Sequence, residues 1–106
     1  MAKKEHKGLM LAFMKCTDPA RDGEFNDWYN KTHIPDVLHT PGILSATRYV
    51  NARDDDADRK YITIYEIEGE DVGATFKAMR ETMQARKAKM IDFFKITSGI
   101  NFKRIL

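Results

Sequence analysis

Hydrophobic residues recur with two different periods along the chain, and this pattern predicts four strands and two helices. Short apolar or β-branched runs with polar flanks indicate strands, whereas apolar positions three and four residues apart indicate amphipathic helices. Turn residues such as Asp18-Pro19 and Thr40-Pro41-Gly42 separate these segments. In chain order, the predicted elements are a strand over residues 8–14, a helix over 23–33, strands over 43–50 and 61–67, a helix that begins after 71, and a strand within 92–105.

Two residues set the predicted bounds of the first helix. Asp22 is the predicted N-cap, because its carboxylate can accept hydrogen bonds from the first free backbone amides of a helix. Pro35 is predicted to end the helix, since the residue before a proline is disfavoured in the helical region. One further turn is expected over residues 36–39, before the Thr-Pro-Gly turn.

The order βαββαβ predicts an α+β, ferredoxin-like domain with a four-stranded antiparallel sheet. A chain of 106 residues has room for one core, so residues 1–106 are expected to form a single domain. Two helices can cover only one face of that sheet, and strand alternation leaves apolar side chains on the other face. An exposed apolar face of this extent predicts a homodimer that packs sheet against sheet with two-fold symmetry.

Composition and charge exclude several classes of protein. The formal charge is +2 and the basic residues are scattered, which does not favour a nucleic-acid partner. No apolar run approaches the length of a membrane span, and residues 1–7 lack the apolar segment of a signal peptide. Cys16 is the only cysteine, so neither an intrachain disulfide nor a cysteine-based zinc site can form. These features predict a soluble protein of a reducing compartment, most simply the cytoplasm.

Residues 24–49 hold the strongest candidate for a functional site. This stretch contains the only Trp and two of the three His residues. Phe25, Tyr29 and His33 recur every four residues, which places all three on the inward face of the first helix. An inward imidazole is either a packed core residue, favoured at a helix C-terminus by the helix dipole, or a general acid/base that lines a pocket. The residues alone leave both alternatives open for His33.

Asp36 follows His33 by three residues, and its carboxylate is expected either to orient the imidazole or to cap the next turn. His39 precedes the Thr-Pro-Gly turn and is predicted to be a surface or turn residue. The spacing of these three residues also raises the question of a metal site. However, His33 and His39 would lie about 240° apart around an α-helix, and no fourth ligand has a suitable spacing, so no metal is expected.

The other candidates would bind a substrate through aromatic, phenolic or cationic groups. Trp28 is either a core residue or part of a pocket, whereas Tyr29 shares the His33 face and could present its hydroxyl to a cavity. Strand alternation places Arg48 among apolar neighbours, either in a salt bridge at an edge or as a clamp for a carboxylate or enolate. Tyr65 lies in the middle of the third strand and is the best-placed phenol of that strand for the same pocket.

These residues occur in the pattern W-Y-x₃-H-x-P-D-x₄-P-G-x₅-R-Y, read from Trp28 to Tyr49, which resembles the EthD-like branch of the dimeric α+β barrel superfamily. The resemblance implies a homodimer whose two sheets form a barrel, with ligand cavities between each sheet and its helices. Relatives include cyclases, cofactor-free oxygenases, muconolactone isomerases and haem-degrading enzymes. The haem-degrading relatives use a histidine of the second helix as the iron ligand, and no histidine follows His39 here, so haem is not expected.

The residues and the resemblance together lead to two hypotheses for function. The first is a dimeric enzyme without a dissociable cofactor, in which His33 moves a proton, Asp36 or a backbone carbonyl fixes its tautomer, and a Tyr or Arg48 stabilises negative charge. Its substrate would be a small apolar carbonyl compound of the aromatic, lactone or polyketide-like kind that the resemblance implies. The reaction would be of the isomerase, cyclase or lyase type. The alternative is a non-catalytic homodimer that binds a small ligand or serves as an accessory protein of a degradation pathway.

Overall fold

The computed structural model describes residues 6–106, apart from the side chains at positions 6 and 88, and its elements confirm the predicted order βαββαβ. The strands are β1 (His6–Cys16), β2 (Ile43–Val50), β3 (Tyr61–Gly69) and β4 (Phe94–Lys103). The helices are α1 (Asp22–Trp28), α2 (Ile34–Val37) and α3 (Val72–Ala85), and a π-helical turn at Tyr29–His33 joins α1 to α2. None of the helices described for residues 6–106 is both long and apolar enough to cross a membrane.

All strand pairs are antiparallel and form one sheet in the order β2-β3-β1-β4, which is the predicted ferredoxin-like arrangement. The central strands β1 and β3 direct every second side chain towards the helices. Met10 and Tyr65 pack there with residues of α2 and α3, whereas Met14 packs with Phe25 and Tyr29 of the first helical segment. The helical segment of residues 22–37, called the site helix below, is therefore held on the sheet by two clusters of buried apolar residues.

The other face of the sheet has no helix over it among the described elements. Leu9 of β1 pairs with Phe102 of β4, and the next pair on this face is Leu11 with Ile100. Leu9, Ile100 and Phe102 are between 38 and 48% exposed although all three are large and apolar. The predicted apolar open face is thus present.

The helix that carries His33 does not end before Pro35, so this prediction is wrong. Ile34 N–H donates to the carbonyl of Tyr29, five residues back, and the chain continues as α2. Proline has no N–H and cannot supply the bond that an uninterrupted α-helix would need at its position. The π turn starts a new α-helical segment in which Pro35 lies in the first turn, where no such bond is required.

The prediction of Asp22 as N-cap is also wrong, because α1 begins at Asp22 itself. A 3₁₀ turn at Pro19–Arg21 precedes it, and Asp18 caps that turn by accepting a hydrogen bond from Ala20 N–H at 3.2 Å. Asp22 instead accepts a hydrogen bond from the Tyr61 hydroxyl, with an O···O distance of 2.5 Å. This bond ties the start of α1 to β3 and helps to fix the site helix over the sheet.

Candidate functional site

The imidazole of His33 lies at the end of the π turn and packs among aromatic rings. It stacks on Trp28, with ring centroids 5.0 Å apart and an interplanar angle of 25°, and it meets Tyr29 edge to face at 4.6 Å. Only 7% of His33 is exposed, and Phe25 and Tyr29 are completely or almost completely buried. The predicted inward orientation of Phe25, Tyr29 and His33 is confirmed.

The π turn explains how Trp28 reaches His33. Residues five positions apart lie about 140° apart around a regular α-helix, so these two rings would point in different directions. The i to i+5 hydrogen bonding of the turn widens the helix and brings the two side chains onto the same side. Trp28 therefore covers one face of the imidazole. Turns of this kind occur frequently at functional sites.

Burial lowers the pKa of His33 to about 4, because the imidazolium form loses its hydration in this environment. The Asp36 carboxylate opposes this effect and the Arg48 guanidinium adds to it, but burial is the largest contribution. His33 is therefore neutral at physiological pH. A neutral imidazole can accept a proton at one nitrogen while it donates a hydrogen bond from the other.

Three buried hydroxyl groups, among them that of Tyr29, form a chain between the helical segment and β3. Thr63 Oγ1 donates a hydrogen bond to Tyr29 Oη at 3.1 Å, and the Oη atoms of Tyr29 and Tyr65 are 3.4 Å apart. Burial raises the pKa of both tyrosines, so both phenols stay protonated at neutral pH. The structure thus brings together Tyr29 and Tyr65. Thr63 was not among the predicted site residues. It lies two positions before Tyr65 on β3 and therefore on the same face of the sheet, and this spacing is the sequence feature that indicates it as a site residue.

Arg48 lies on the helix-facing side of the edge strand β2, opposite Thr63 of β3. Its guanidinium carbon is 4.2 Å from the centroid of the Tyr29 ring, a distance typical of a cation–π contact. Nη1 donates a hydrogen bond to the side-chain oxygen of Asn30 at 2.9 Å. Burial lowers the pKa of Arg48, but an arginine remains charged in proteins. The same Tyr29 ring therefore contacts both the imidazole and the cation.

Asp36 is buried, but its main hydrogen-bond partner is not the His33 imidazole that it was expected to orient. Its Oδ1 accepts a hydrogen bond from Arg86 Nη1 at 2.8 Å, and Lys89 Nζ is 3.8 Å away. No hydrogen bond joins Asp36 to His33 within residues 6–106. Trp28 Nε1 also donates to the carbonyl of Lys89, at 2.9 Å, so hydrogen bonds fasten the site helix to the segment that follows α3. Asp36 therefore affects His33 only through its negative charge, which acts to raise the pKa of the imidazole.

His39 lies outside this cluster, in agreement with its prediction as a turn residue. Its ring Nδ1 is 2.8 Å from the carbonyl oxygen of Pro35, and the side chain is exposed. Where the chain is described, no three histidine, cysteine or acidic side chains come close enough together to hold a metal ion.

Two open clefts lie away from His33. One, of about 600 Å³, opens between the end of β1, the start of α1 and the β2–β3 hairpin, with Cys16 and Lys60 in its wall. The other, of about 440 Å³, lies beside Leu9 and Phe102 at one end of the sheet. His33 lines neither cleft. Its imidazole is enclosed by the aromatic rings that pack on it.

No family model and no curated protein matches the chain, but its fold occurs in several crystal structures. HapK from Hahella chejuensis covers 92% of this chain and is itself covered to 92%, with 12% identity and a TM-score of 0.73. An EthD family protein from Bacillus halodurans gives 18% identity, coverage of 94% of this chain and 99% of that chain, and a TM-score of 0.59. A dimeric ferredoxin-like protein of unknown function from Thermobifida fusca gives 12% identity, coverage of 100% and 96%, and a TM-score of 0.57.

At these identities the similarity defines the fold alone. The chain has the ferredoxin-like fold, which it shares with the EthD family protein and the Thermobifida fusca protein, and this confirms the resemblance drawn from Trp28 to Tyr49 at the level of the fold. One fold of this kind supports many unrelated reactions, so the function has to be argued from the residues of the site.

Proposed function

We propose that the protein is a small-molecule enzyme that uses His33 for proton transfer without a dissociable cofactor. The observation that carries this proposal is a buried, neutral imidazole in contact with the ring of Tyr29, which also contacts the cation of Arg48. A neutral base beside hydroxyl donors and a fixed positive charge can remove a proton next to a carbonyl group and stabilise the enolate that forms.

The neighbours of the imidazole have distinct roles in this proposal. His33 accepts the proton, and the negative charge of Asp36 stabilises the imidazolium, since it acts to raise the pKa of His33. One of the protonated phenols of Tyr29 and Tyr65 donates a hydrogen bond to the developing oxyanion, while the other donates to its neighbour in the chain. Arg48, which contacts the Tyr29 ring, compensates the negative charge.

The substrate that we propose is a small, largely apolar carbonyl compound of the aromatic, lactone or polyketide-like kind. Trp28, Tyr29 and Phe94 surround the imidazole with aromatic rings, which favour planar, apolar molecules. Isomerisation, cyclisation and lyase reactions of such compounds can each begin with loss of a proton beside a carbonyl. Reactions that begin in this way use the same residues.

We further propose that two copies of the chain pack through their open sheet faces. The apolar pairs Leu9–Phe102 and Leu11–Ile100 lie on that face, and water contact with so large an apolar area is unfavourable. A two-fold axis would place the same face of each copy against the other. The Thermobifida fusca protein, which has this fold, is described as dimeric.

Sedimentation equilibrium tests the dimer, since each chain has a mass of 12.3 kDa. We expect twice this mass for the wild type and a shift to the monomer for Ile100→Asp, because a carboxylate would be buried in the contact without a partner. Asn101→Asp is the control, as Asn101 lies on the opposite face of β4. A monomeric wild type, or equal behaviour of both variants, would refute sheet-to-sheet packing.

Hydrogen–deuterium exchange of simple carbonyl compounds tests the proton transfer. In D₂O, the wild type is expected to accelerate exchange of the protons beside the carbonyl of 2-tetralone or δ-valerolactone, followed by NMR. His33→Gln should lower the protein-dependent rate about a hundredfold, because glutamine cannot accept the proton. Glutamine is similar in size to histidine and keeps hydrogen-bonding groups, so the fold should persist, and this is checked by circular dichroism.

His39→Gln is the matched control for this experiment. It removes the exposed histidine that bonds to the Pro35 carbonyl and should leave the exchange rate unchanged. Equal rates for the wild type and His33→Gln would rule out His33 as the base. No acceleration by the wild type with either probe would count against an enzyme and in favour of the second hypothesis.

The second hypothesis is a non-catalytic homodimer that binds a small ligand or serves as an accessory protein of a degradation pathway. The close packing of His33 between Trp28 and Tyr29 favours it, because a structural imidazole would have such surroundings. In that case His33→Gln would leave ligand binding intact and would mainly lower the melting temperature. The two hypotheses thus differ in whether a titratable group at position 33 is needed.

A further inference from the structure

The guanidinium of Arg48 is only partly satisfied by its neighbours. Nη1 bonds to Asn30, but Nε and Nη2 are both buried and have no hydrogen-bond partner within residues 6–106. These two nitrogens form one edge of the guanidinium, and that edge matches the two oxygens of a carboxylate in a bidentate pair. A buried donor without an acceptor is unfavourable, and more so when it carries a charge.

No carboxylate of the described residues hydrogen-bonds to this edge. Asp22 is close enough to raise the pKa of Arg48, and its Oδ1 is also buried without a hydrogen-bond partner. Its Oδ2 accepts the Tyr61 hydroxyl and lies 3.5 Å from Lys60 Nζ, so neither oxygen of Asp22 bonds to Arg48. The groups that contact the guanidinium are aromatic faces, with the Tyr29 centroid at 4.2 Å and the Tyr61 centroid at 5.4 Å. Ring faces interact with the charge of a cation but do not offer oxygen acceptors to its N–H groups.

We infer that the Nε and Nη2 edge of Arg48 binds an anionic oxygen pair, and that the ligand of this site is a planar aromatic or conjugated carboxylate. This inference rests on the proposed function and narrows its substrate class to acids. The carboxylate forms the bidentate pair, while the ring system of the ligand packs beside the faces of Tyr29 and Tyr61 that contact the guanidinium. Arg48 is half-buried on the edge strand β2 and its partner Asn30 is exposed, so the ligand would approach the guanidinium from this edge of the sheet.

Binding at Arg48 would also change His33. The positive charge of Arg48 contributes to the low pKa of His33, and a bound carboxylate would cancel this contribution. The imidazole would then be a stronger base when substrate is present than when the site is empty. The cation thus couples recognition of the anion to activation of the base.

Titration with benzoate and with benzamide, its neutral counterpart of similar shape, tests this inference. Binding is followed by the NMR signal of the indole N–H of Trp28, which is the only Trp and stacks on His33. We expect benzoate to bind at least about tenfold more tightly than benzamide, and Arg48→Lys to reduce this difference, because an ammonium keeps the charge but lacks the bidentate edge. The pKa of His33, measured in the same spectra, should rise with benzoate in the wild type and stay unchanged with benzamide.

Two further variants keep the result interpretable. Arg53→Lys, in the β2–β3 hairpin, changes an arginine that pairs with Asp55 and should bind benzoate as the wild type does. Asn30→Asp places a carboxylate next to Nη1 of Arg48. Its negative charge should weaken benzoate binding, and the core should be unaffected because residue 30 is exposed. Equal affinities for benzoate and benzamide, wild-type binding by Arg48→Lys, or no saturable binding of benzoate would each overturn the inference.

His33→Gln separates this inference from the proposed function. If Arg48 is the anion site, His33→Gln still prefers benzoate to benzamide, even if the exchange of carbonyl protons is lost. If the exchange of carbonyl protons depends on His33 but the protein binds benzoate no more tightly than benzamide, the proposed proton transfer stands and the proposed specificity for acids is wrong.

Discussion

Phe25→Ala is expected to lower the free energy of unfolding by about 4 kcal/mol, since removal of a fully buried phenylalanine costs about 3–5 kcal/mol. Phe25 has no exposed surface, and its ring contacts Tyr29, Tyr61 and Phe94 with centroid distances of 5.7, 5.7 and 5.8 Å. The alanine side chain would leave a cavity among these rings, because the strands that carry Tyr61 and Phe94 are held in the sheet and cannot move in to fill it. Urea denaturation at a fixed protein concentration measures the change, because a dimer has a concentration-dependent stability.

Phe25→Leu is the matched control for this change. Leucine fills most of the same volume and is expected to cost only about 1.5 kcal/mol, so the difference between the two variants reports the cavity. A loss below about 1 kcal/mol for Phe25→Ala would show that the aromatic cluster does not hold the site helix on the sheet. The site would then lack the rigid support that the proposed function requires.

The position of Phe25 could be predicted from the sequence, and the reason is periodicity. Phe25, Tyr29 and His33 recur every four residues, and even the π turn leaves them on one face. The strand order was predictable for a similar reason, because β-branched and apolar runs separated by turn residues define the four strands. Features that depend on local repetition are therefore the ones that the sequence predicts correctly.

The features that could not be predicted depend on backbone irregularity or on contacts between distant positions. Pro35 indicates a helix end in any local interpretation, whereas the structure accommodates it through a π turn that also brings Trp28 onto His33. Arg86 is 50 positions from Asp36, and nothing in the local pattern of either residue indicates that they pair. The orientation of the site helix relative to α3 therefore follows from tertiary packing alone.

Lowering the pH from 7 to about 4 is expected to remove about 3 kcal/mol of stability through His33 alone. In the folded protein the pKa of His33 is about 4, below its ordinary value of 6.5. As the pH falls through 6.5, the unfolded chain binds a proton at this residue and the folded protein does not, so the unfolded state is favoured. The loss stops near pH 4, where the folded protein also becomes protonated, and above pH 6.5 His33 makes no such contribution.

Carboxylates also begin to titrate below about pH 5, so the useful comparison is between variants over pH 7 to 5. In this range the wild type should lose about 2 kcal/mol through His33, His39→Gln should lose as much, and His33→Gln should lack this loss. Urea denaturation at each pH measures the slopes, and equal slopes for the wild type and His33→Gln would show that His33 is not buried in its neutral form. A neutral imidazole is also what a base requires, because only that form can accept the substrate proton. The burial that makes the protein sensitive to acid is therefore the same property that keeps His33 in the neutral form that the proposed proton transfer requires.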